Sequence, residues 1–175
     1  LGCLDGIFSI EFATHGAETV GIEIREANIR KAAFCKELLQ LDKLSFVQDD
    51  VRNISPASLG SFDAVICSGI LYHLPAHDVF KLVEAMYAIT TRLVIIDTLI
   101  TLRSAERKQH QGIDYWGETT PEHAEGDTQE QKAKRLWASW DNETSFHFTR
   151  PSLINLLART GFSSVYECFV PAHIN

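Results

Sequence analysis

Strand-like and helix-like segments alternate along the chain, and this alternation limits its fold more than any other feature. Short apolar runs at 18–24, 44–48, 62–68 and 92–98 predict four strands, and a run at 163–170 predicts a fifth. Such alternation is typical of an α/β domain: a doubly wound, mostly parallel sheet with helices on both faces. At 175 residues the chain has the usual length of one domain, and we predict a single domain over 1–175.

Helical patterns separate the predicted strands. We expect helices over 7–14, 26–40 and 76–89, and a further helix that begins after Thr149 and ends at Gly161. The 26–40 helix is expected to turn these side chains inward: Ile29, Ala33, Phe34, Leu38 and Leu39. The strand at 92–98 is rich in β-branched residues, which predicts burial on both of its faces.

Residues 101–148 depart from the alternation. This stretch is polar and carries all three tryptophans of the chain. A structureless loop of that length is uncommon in a compact domain, so we predict a helix near 128–139. We interpret 101–148 as an insertion after the fourth strand that forms a lid and caps a substrate.

Composition disfavours several classes of protein. The net charge of −7 disfavours a broad nucleic-acid or anionic-membrane surface, although a local basic patch stays open. The chain has no apolar run of membrane-spanning length. Its four cysteines are scattered without a CxxC pair, which indicates reduced thiols in a cytoplasmic protein.

Residues at the carboxyl ends of the strands are the candidate site, because open α/β sheets bind ligands there. Gly2 and Gly6 form a glycine turn without a strand before it, and an apolar helical run follows. Glu23 ends a strand, where a carboxylate can accept hydrogen bonds from both hydroxyls of a ribose. Asp50 follows the next strand and could accept from an exocyclic amino group. The alternatives are a solvated strand-end charge for Glu23 and a turn cap for Asp50.

Together these motifs resemble those of the class I S-adenosylmethionine-dependent methyltransferases. The resemblance rests on LGCLDGIFSIEFA, VGIEI, FVQDD and FDAVICSGILYHL within residues 1–100, with support to about residue 168 from FTRPSLINLLARTGFSSVYE. It implies a Rossmann-like sheet of seven strands, whose first strand would precede Leu1 and whose last would follow Val170. Both strands are expected to be missing from this sequence. Leu4 stands where many relatives have a second glycine.

The resemblance also implies S-adenosyl-L-methionine as cofactor. The implied cofactor contacts are Gly2, Cys3, Leu4, Gly6, Glu23, Ile24, Asp50, Val51, Ser68, Gly69 and Tyr72. In this assignment the glycine turn lines the methionine portion, Glu23 holds the ribose, and Ile24 covers the adenine. Asp50 and the backbone of Val51 read the adenine edge, and Ser68 and Gly69 pass near the sulfonium.

Catalysis of methyl transfer depends mainly on positioning, and a base is needed only for a weakly acidic acceptor. His73 is the candidate base, with a structural histidine as the alternative, and Asp97 contacts substrate or caps the next segment. The candidate acceptor contacts are Tyr115, Trp116, Trp140, His147 and Arg150, whereas Trp137 is expected to pack the insertion onto the sheet. Pro75 lies between His73 and His77, so we expect no metal site from their HxxxH spacing.

The predicted function is transfer of a methyl group to a small-molecule acceptor. An alternative within the family is tRNA modification, because SGILYHL resembles the wobble-uridine carboxymethyl transferases; the acidic composition counts against it. The NAD-dependent oxidoreductases are another alternative, disfavoured because no GxGxxG motif is present. A non-catalytic nucleotide-binding domain also stays open. The oligomeric state and the acceptor are not predicted.

Overall fold

The computed structural model describes residues 1–168, and strands and helices alternate through its first hundred residues. The helices are α1 (Ile7–Thr14), α2 (Glu26–Leu38), α3 (Pro56–Leu59), α4 (Ala76–Ile89), α5 (Gln129–Lys134) and α6 (Arg150–Thr160). The strands are β1 (Thr19–Glu23), β2 (Leu44–Gln48), β3 (Phe62–Ser68), β4 (Thr90–Asp97), β5 (Glu106–His110), β6 (Ile113–Pro121) and β7 (Thr144–Phe148). The predicted α/β class with parallel strands is therefore confirmed.

The parallel strands form two pairs. β1 runs beside β2, with Thr19 opposite Leu44, and β3 runs beside β4, with Val65 opposite Val94. The start of the chain lies between the pairs: the Cys3 N–H donates to the β1 residue Ile22 (2.8 Å), and the Leu1 nitrogen donates to a β3 carbonyl (2.8 Å). Within residues 1–168, β1 and β3 are not paired with each other. The expectation of a first and a last strand outside this sequence stays a prediction.

Helix α4 supplies much of the hydrophobic core. Its side chains Val79, Leu82, Val83 and Met86 are almost completely buried, as their helical spacing predicts. Burying side chains of this size stabilises a fold by roughly 1.5–3 kcal/mol each. Because α4 follows directly on the β3 loop, this packing also fixes the position of residues 68–75.

The 101–148 region contains a three-stranded sheet, which the sequence analysis did not predict. Strands β5, β6 and β7 form an antiparallel sheet in the order β5-β6-β7. This sheet packs against α4 through Phe80, whose ring centroid lies 5.2 Å from that of Tyr115 and 5.6 Å from that of Phe148. The predicted helix near 128–139 is present only as α5.

Three further expectations are wrong. Residues 163–168 form no strand, and the rest of the predicted strand, 169–170, lies outside the described residues. Helix α2 buries Asn28 and Ala32, and of the side chains predicted to turn inward only Ile29 and Ala33 are half-buried. Phe34 is 65% exposed, and Leu38 and Leu39 are also exposed. Strand β4 is not buried on both faces, because Leu93 and Ile95 on one face are exposed.

Between residues 1 and 168, none of the helices combines the length and apolarity that crossing a membrane requires.

Candidate functional site

A cavity of about 780 Å³ opens at the carboxyl ends of β1 to β4. Every predicted cofactor contact except Gly6 lines it, and so do the two predicted catalytic residues, His73 and Asp97. The cavity also extends into the gap between the strand pairs, where it meets Val20 and Val65. Its volume therefore includes more than the space for one ligand.

Glu23 anchors the glycine turn to β1. The residue is only 4% exposed, and its carboxylate accepts hydrogen bonds from the Leu4 N–H (3.0 Å) and the Arg25 N–H (2.8 Å). Each carboxylate oxygen has a second acceptor position, so Glu23 can still bind two hydroxyl groups. A side chain with unused acceptor capacity on a cavity wall fits the ribose contact predicted for it.

Gly6 has a structural role and does not line the cavity. Its φ of 88° lies in the left-handed region, and it precedes the first residue of α1. A Cβ added there would come within 2.8 Å of the Phe46 ring on β2. Gly6 therefore lets α1 pack closely on the strands.

Asp50 caps a turn, which was the alternative to its predicted contact with adenine. Its Oδ1 accepts from the Arg52 N–H (2.8 Å) at the start of the 3₁₀ helix Val51–Asn53, and its Oδ2 accepts from Arg52 Nε (2.9 Å). The hydrogen bond to Asp50 raises the pKa of the Arg52 guanidinium, against the effect of burial. Asp50 lines the cavity, but most of its acceptor capacity is committed to Arg52.

The ends of β3 and β4 are joined by polar contacts. The Ser68 hydroxyl donates to Asp97 Oδ2 (2.9 Å), and the Gly69 N–H donates to the Asp97 carbonyl (2.9 Å). The ring of Tyr72 lies beside that of His73, with the centroids 4.4 Å apart. Side chains that can accept, donate or stack thus meet at one corner of the cavity.

His73 is held by a carboxylate from the 101–148 region. Its Nδ1 lies 3.0 Å from both carboxylate oxygens of Glu122, and Glu122 also accepts from the Ser139 N–H (2.9 Å). Burial opposes ionisation of Glu122, but the hydrogen bonds from His73 and Ser139 outweigh it and hold the pKa of the carboxyl below its usual value.

Residues 133–142, here called the covering segment, close one side of the cavity. The buried Arg25 guanidinium donates to the carbonyls of Ala133 (2.6 Å), Arg135 (3.1 Å) and Ala138 (3.1 Å), and it lies 5.0 Å from the centroid of the Trp140 ring. From the other corner, Arg52 donates to Asp141 (2.8 Å) and Asn142 (3.3 Å). Two arginines at the ends of β1 and β2 thus hold this segment over the cavity.

The cysteines near the cavity are thiols. Burial, together with the nearby Glu23 carboxylate, raises the pKa of Cys3 to about 11. Burial likewise raises the pKa of Cys67 to about 12. Because thiolates and not thiols are the reactive form, neither residue is poised to act as a nucleophile at neutral pH.

A family profile matches this arrangement over nearly the whole chain. The profile is described as "Methyltransferase domain" and matches residues 1–167. The chain belongs to that family. Its identification as a class I S-adenosylmethionine-dependent methyltransferase domain is therefore confirmed.

Individual curated relatives match a shorter stretch of this methyltransferase domain. The ubiquinone biosynthesis O-methyltransferase of Psychrobacter cryohalolentis is 32% identical over 88 residues, which are 50% of this chain and 34% of that protein. The enzyme of the same name from Acinetobacter baylyi is 29% identical over 75 residues, 43% of this chain and 32% of that protein. The matched stretch thus spans about a third of the length of these relatives.

Solved structures share the fold of the methyltransferase domain. The N-terminal domain of EvdMO1 with SAH bound superposes with a TM-score of 0.75 at 24% identity, over 93% of this chain and 63% of that one. Magnesium protoporphyrin IX methyltransferase (ChlM) from Synechocystis PCC 6803 with bound SAH gives a TM-score of 0.57 at 20% identity, over 91% and 61%.

Only one of the predicted acceptor contacts lines the cavity of the methyltransferase domain, and that residue is Trp140. Tyr115 is 2% exposed and belongs to the hydrophobic core, whereas Trp116 is half-exposed on β6. His147 lies edge-on to Tyr72, with their centroids 6.3 Å apart. Arg150 is exposed and forms an ion pair with Glu167.

Trp137 corrects a further expectation, because it does not pack the insertion onto the sheet. It is 83% exposed at the edge of the cavity, within the covering segment. Nothing in the sequence around Trp137 indicated this exposed position.

The sequence analysis missed several residues of the site, among them Arg25, Arg52, Glu122 and Ser139. Arg25 had a usable signal, since a charged residue directly after a buried strand end lies beside the ligand crevice. Glu122 had none, because it is 49 positions from His73 and only the fold brings them together.

Within residues 1–168, no group of three or more histidine, cysteine, aspartate or glutamate side chains is placed to hold a metal ion.

Proposed function

We propose that this chain catalyses transfer of a methyl group from S-adenosylmethionine to a hydroxyl group of a small molecule. The observation that carries the proposal is the meeting of the Glu23-anchored glycine turn and His73 at one cavity. The first feature suits a nucleoside, and the second suits removal of a proton. Family membership makes the nucleoside an S-adenosyl one.

The cofactor contacts follow from the donors and acceptors on the cavity wall. Glu23 has free acceptor positions for the two ribose hydroxyls, and Ile24 and Val51 offer apolar surface and backbone groups to the adenine. Asp50 would shape the adenine end of the cavity mainly by stabilising its own turn and binding Arg52, and less by a direct contact with adenine. Gly2 and Cys3 would line the methionine portion, with Ser68, Gly69 and Tyr72 toward the sulfonium.

Oxygen is the proposed methyl acceptor on two grounds. The curated relatives are named O-methyltransferases. In addition, Arg150, one of the predicted acceptor contacts, is paired with Glu167 outside the cavity and offers no positive charge there to an anionic acceptor. His73, Tyr72 and Asp97 remain at the acceptor end, and they suit a neutral hydroxylated molecule.

S-Adenosylmethionine supplies a methyl carbon bonded to a positively charged sulfur. The residues of this chain would orient the acceptor in line with that bond, and alignment alone can contribute roughly 7–11 kcal/mol to catalysis. As the acceptor oxygen bonds to the methyl carbon, the electron pair of the broken S–C bond stays on sulfur. The hydroxyl proton passes to His73.

The competing functions differ in what they would bind. A tRNA substrate needs a basic surface, and the chain carries a net charge of −7. NAD needs the glycine spacing that this turn lacks. A non-catalytic domain would bind S-adenosylhomocysteine without turnover.

The test uses the full-length protein with methyl-labelled S-adenosylmethionine and separate pools of small hydroxylated, amine and thiol compounds and of tRNA. We expect label in an O-methyl product from the hydroxylated pool. Label transferred to tRNA, or to nitrogen or sulfur only, would contradict the proposal. S-Adenosylhomocysteine binding without label transfer to any pool would favour the non-catalytic domain.

Replacing the base gives a second prediction. His73→Ala should lower kcat by roughly 10²–10⁴-fold, the usual contribution of a general base, with little effect on S-adenosylhomocysteine affinity. His77→Ala is the matched control, because His77 is exposed and pairs with the neighbouring Asp78 on the same helix. Equal kcat values for His73→Ala and His77→Ala would show that His73 is structural.

A further inference from the structure

Glu122 is a nearly buried carboxylate that lies just outside the paired residues of β6. Its side chain is 9% exposed, and it reaches His73 from just beyond the end of β6 at Pro121. Its two oxygens lie near His73 Nδ1, and one of them accepts from the Ser139 N–H; both partners line the cavity. A carboxylate buried away from water must be stabilised by such partners.

The contact fixes where the proton of His73 lies. An ionised carboxylate only accepts hydrogen bonds, so the 3.0 Å contact requires His73 Nδ1 to be the donor. The neutral imidazole then carries its proton on Nδ1 and a free lone pair on Nε2. The same carboxylate stabilises the imidazolium that forms once Nε2 has taken a proton.

Further contacts with this pair come from the covering segment. Asn142, in the covering segment, donates from Nδ2 to the carbonyl of His73 (3.2 Å) and itself accepts from Arg52. Ser139, in the same segment, donates to Glu122 and is buried. The covering segment therefore contacts both members of the His73–Glu122 pair.

We propose that Glu122 is the positioning residue of the reaction: it holds His73 in the Nδ1–H tautomer, with Nε2 free to accept the hydroxyl proton, and the covering segment holds Glu122 in place. This proposal rests on the proposed function, because it assigns Glu122 a role only in a reaction that uses His73 as base. When the proton moves from the acceptor oxygen to Nε2, the imidazolium charge forms opposite the Glu122 carboxylate.

The first test needs no turnover. ¹⁵N NMR of the imidazole rings in the full-length protein, with His73→Ala to assign the signals, should show His73 in the Nδ1–H tautomer when neutral. Glu122→Ala should abolish that preference. A wild-type His73 in the Nε2–H tautomer would overturn the proposal.

The second test separates chemistry from binding. Glu122→Gln keeps the size and an acceptor oxygen but removes the charge, and Glu122→Ala removes both. We expect kcat to fall at least tenfold in Glu122→Ala and less in Glu122→Gln, with KM for S-adenosylmethionine within about twofold of wild type. Glu125→Gln is the matched control, because Glu125 is exposed in the same loop.

The outcomes keep the two proposals apart. Full kcat in Glu122→Ala, alongside the expected loss in His73→Ala, would overturn the role of Glu122 and leave the proposed function standing. Absence of methyl transfer by the wild type would remove the proposed function, while the tautomer spectrum would still report on the Glu122 contact. If Glu122→Ala does not fold, the wild-type tautomer and Glu122→Gln decide.

Discussion

At the scale of single residues, the site depends on which acceptor positions are already occupied. Glu23 and Asp50 were expected to act as a pair of adenosine contacts, and the sequence brings both to one cavity. The sequence could not show that Arg52 takes up most of the acceptor positions of the Asp50 carboxylate, because that contact depends on side-chain geometry within one turn. Residue type and strand register predict a location, whereas remaining hydrogen-bonding capacity requires coordinates.

Leu4 offers a residue-scale prediction. Its φ of 51° places a side chain in the left-handed region, which costs roughly 1–2 kcal/mol for a residue other than glycine. Leu4→Gly should therefore stabilise the full-length protein by up to about 1 kcal/mol, because part of the gain is offset by the greater freedom of glycine in the unfolded chain. Urea denaturation measures the change.

Leu4→Ala is the control for that prediction. It keeps the unfavourable backbone conformation and loses the side-chain contacts, so it should lower the free energy of unfolding. If Leu4→Gly destabilises the protein as much as Leu4→Ala does, the packing of Leu4 outweighs the cost of its backbone.

At the scale of elements, the parallel strands and α4 were predictable and the 101–148 sheet was not. The apolar residues of helix α4 have a regular helical spacing, which can be recognised in the sequence without knowing what the helix packs against. Strand β5, with the sequence ERKQH, has no apolar residue to reveal its alternation. It is a strand because β6 pairs with it, and tertiary pairing of that kind leaves no local signal.

The covering segment gives an element-scale prediction. Arg25 donates three hydrogen bonds to its carbonyls, so Arg25→Ala should release the segment and raise amide hydrogen exchange within 133–142. Affinity for S-adenosylhomocysteine should fall as well, because this segment covers the cavity. Exchange measured by mass spectrometry, with calorimetry for affinity, checks both effects.

A matched variant tests whether the effect is specific. Arg30→Ala removes an exposed arginine that pairs with Glu26 on the same helix, so exchange in 133–142 should stay at the wild-type level. Unchanged exchange in Arg25→Ala would mean that other contacts, such as those of Arg52, hold the covering segment alone.

At the scale of the whole molecule, the fold places four strand ends around one cavity, and a family profile spanning residues 1–167 agrees with that geometry. The order of motifs along the chain was enough to identify the family, because each motif after the glycine turn lies at the end of a strand that the apolar pattern already predicts. The acceptor end was not predictable, since Glu122 and the covering segment reach it from a distant part of the sequence.

The central claim is that Glu23 at the end of β1 holds the ribose of an S-adenosyl ligand. Titration calorimetry of the full-length protein with S-adenosylhomocysteine tests it most directly, comparing wild type, Glu23→Gln and the exposed-surface control Glu37→Gln, with thermal unfolding to verify that each is folded. We predict binding by wild type and Glu37→Gln, and at least tenfold weaker binding by folded Glu23→Gln, equivalent to about 1.4 kcal/mol. Wild-type affinity in Glu23→Gln, or binding of NAD in place of S-adenosylhomocysteine, would contradict the claim.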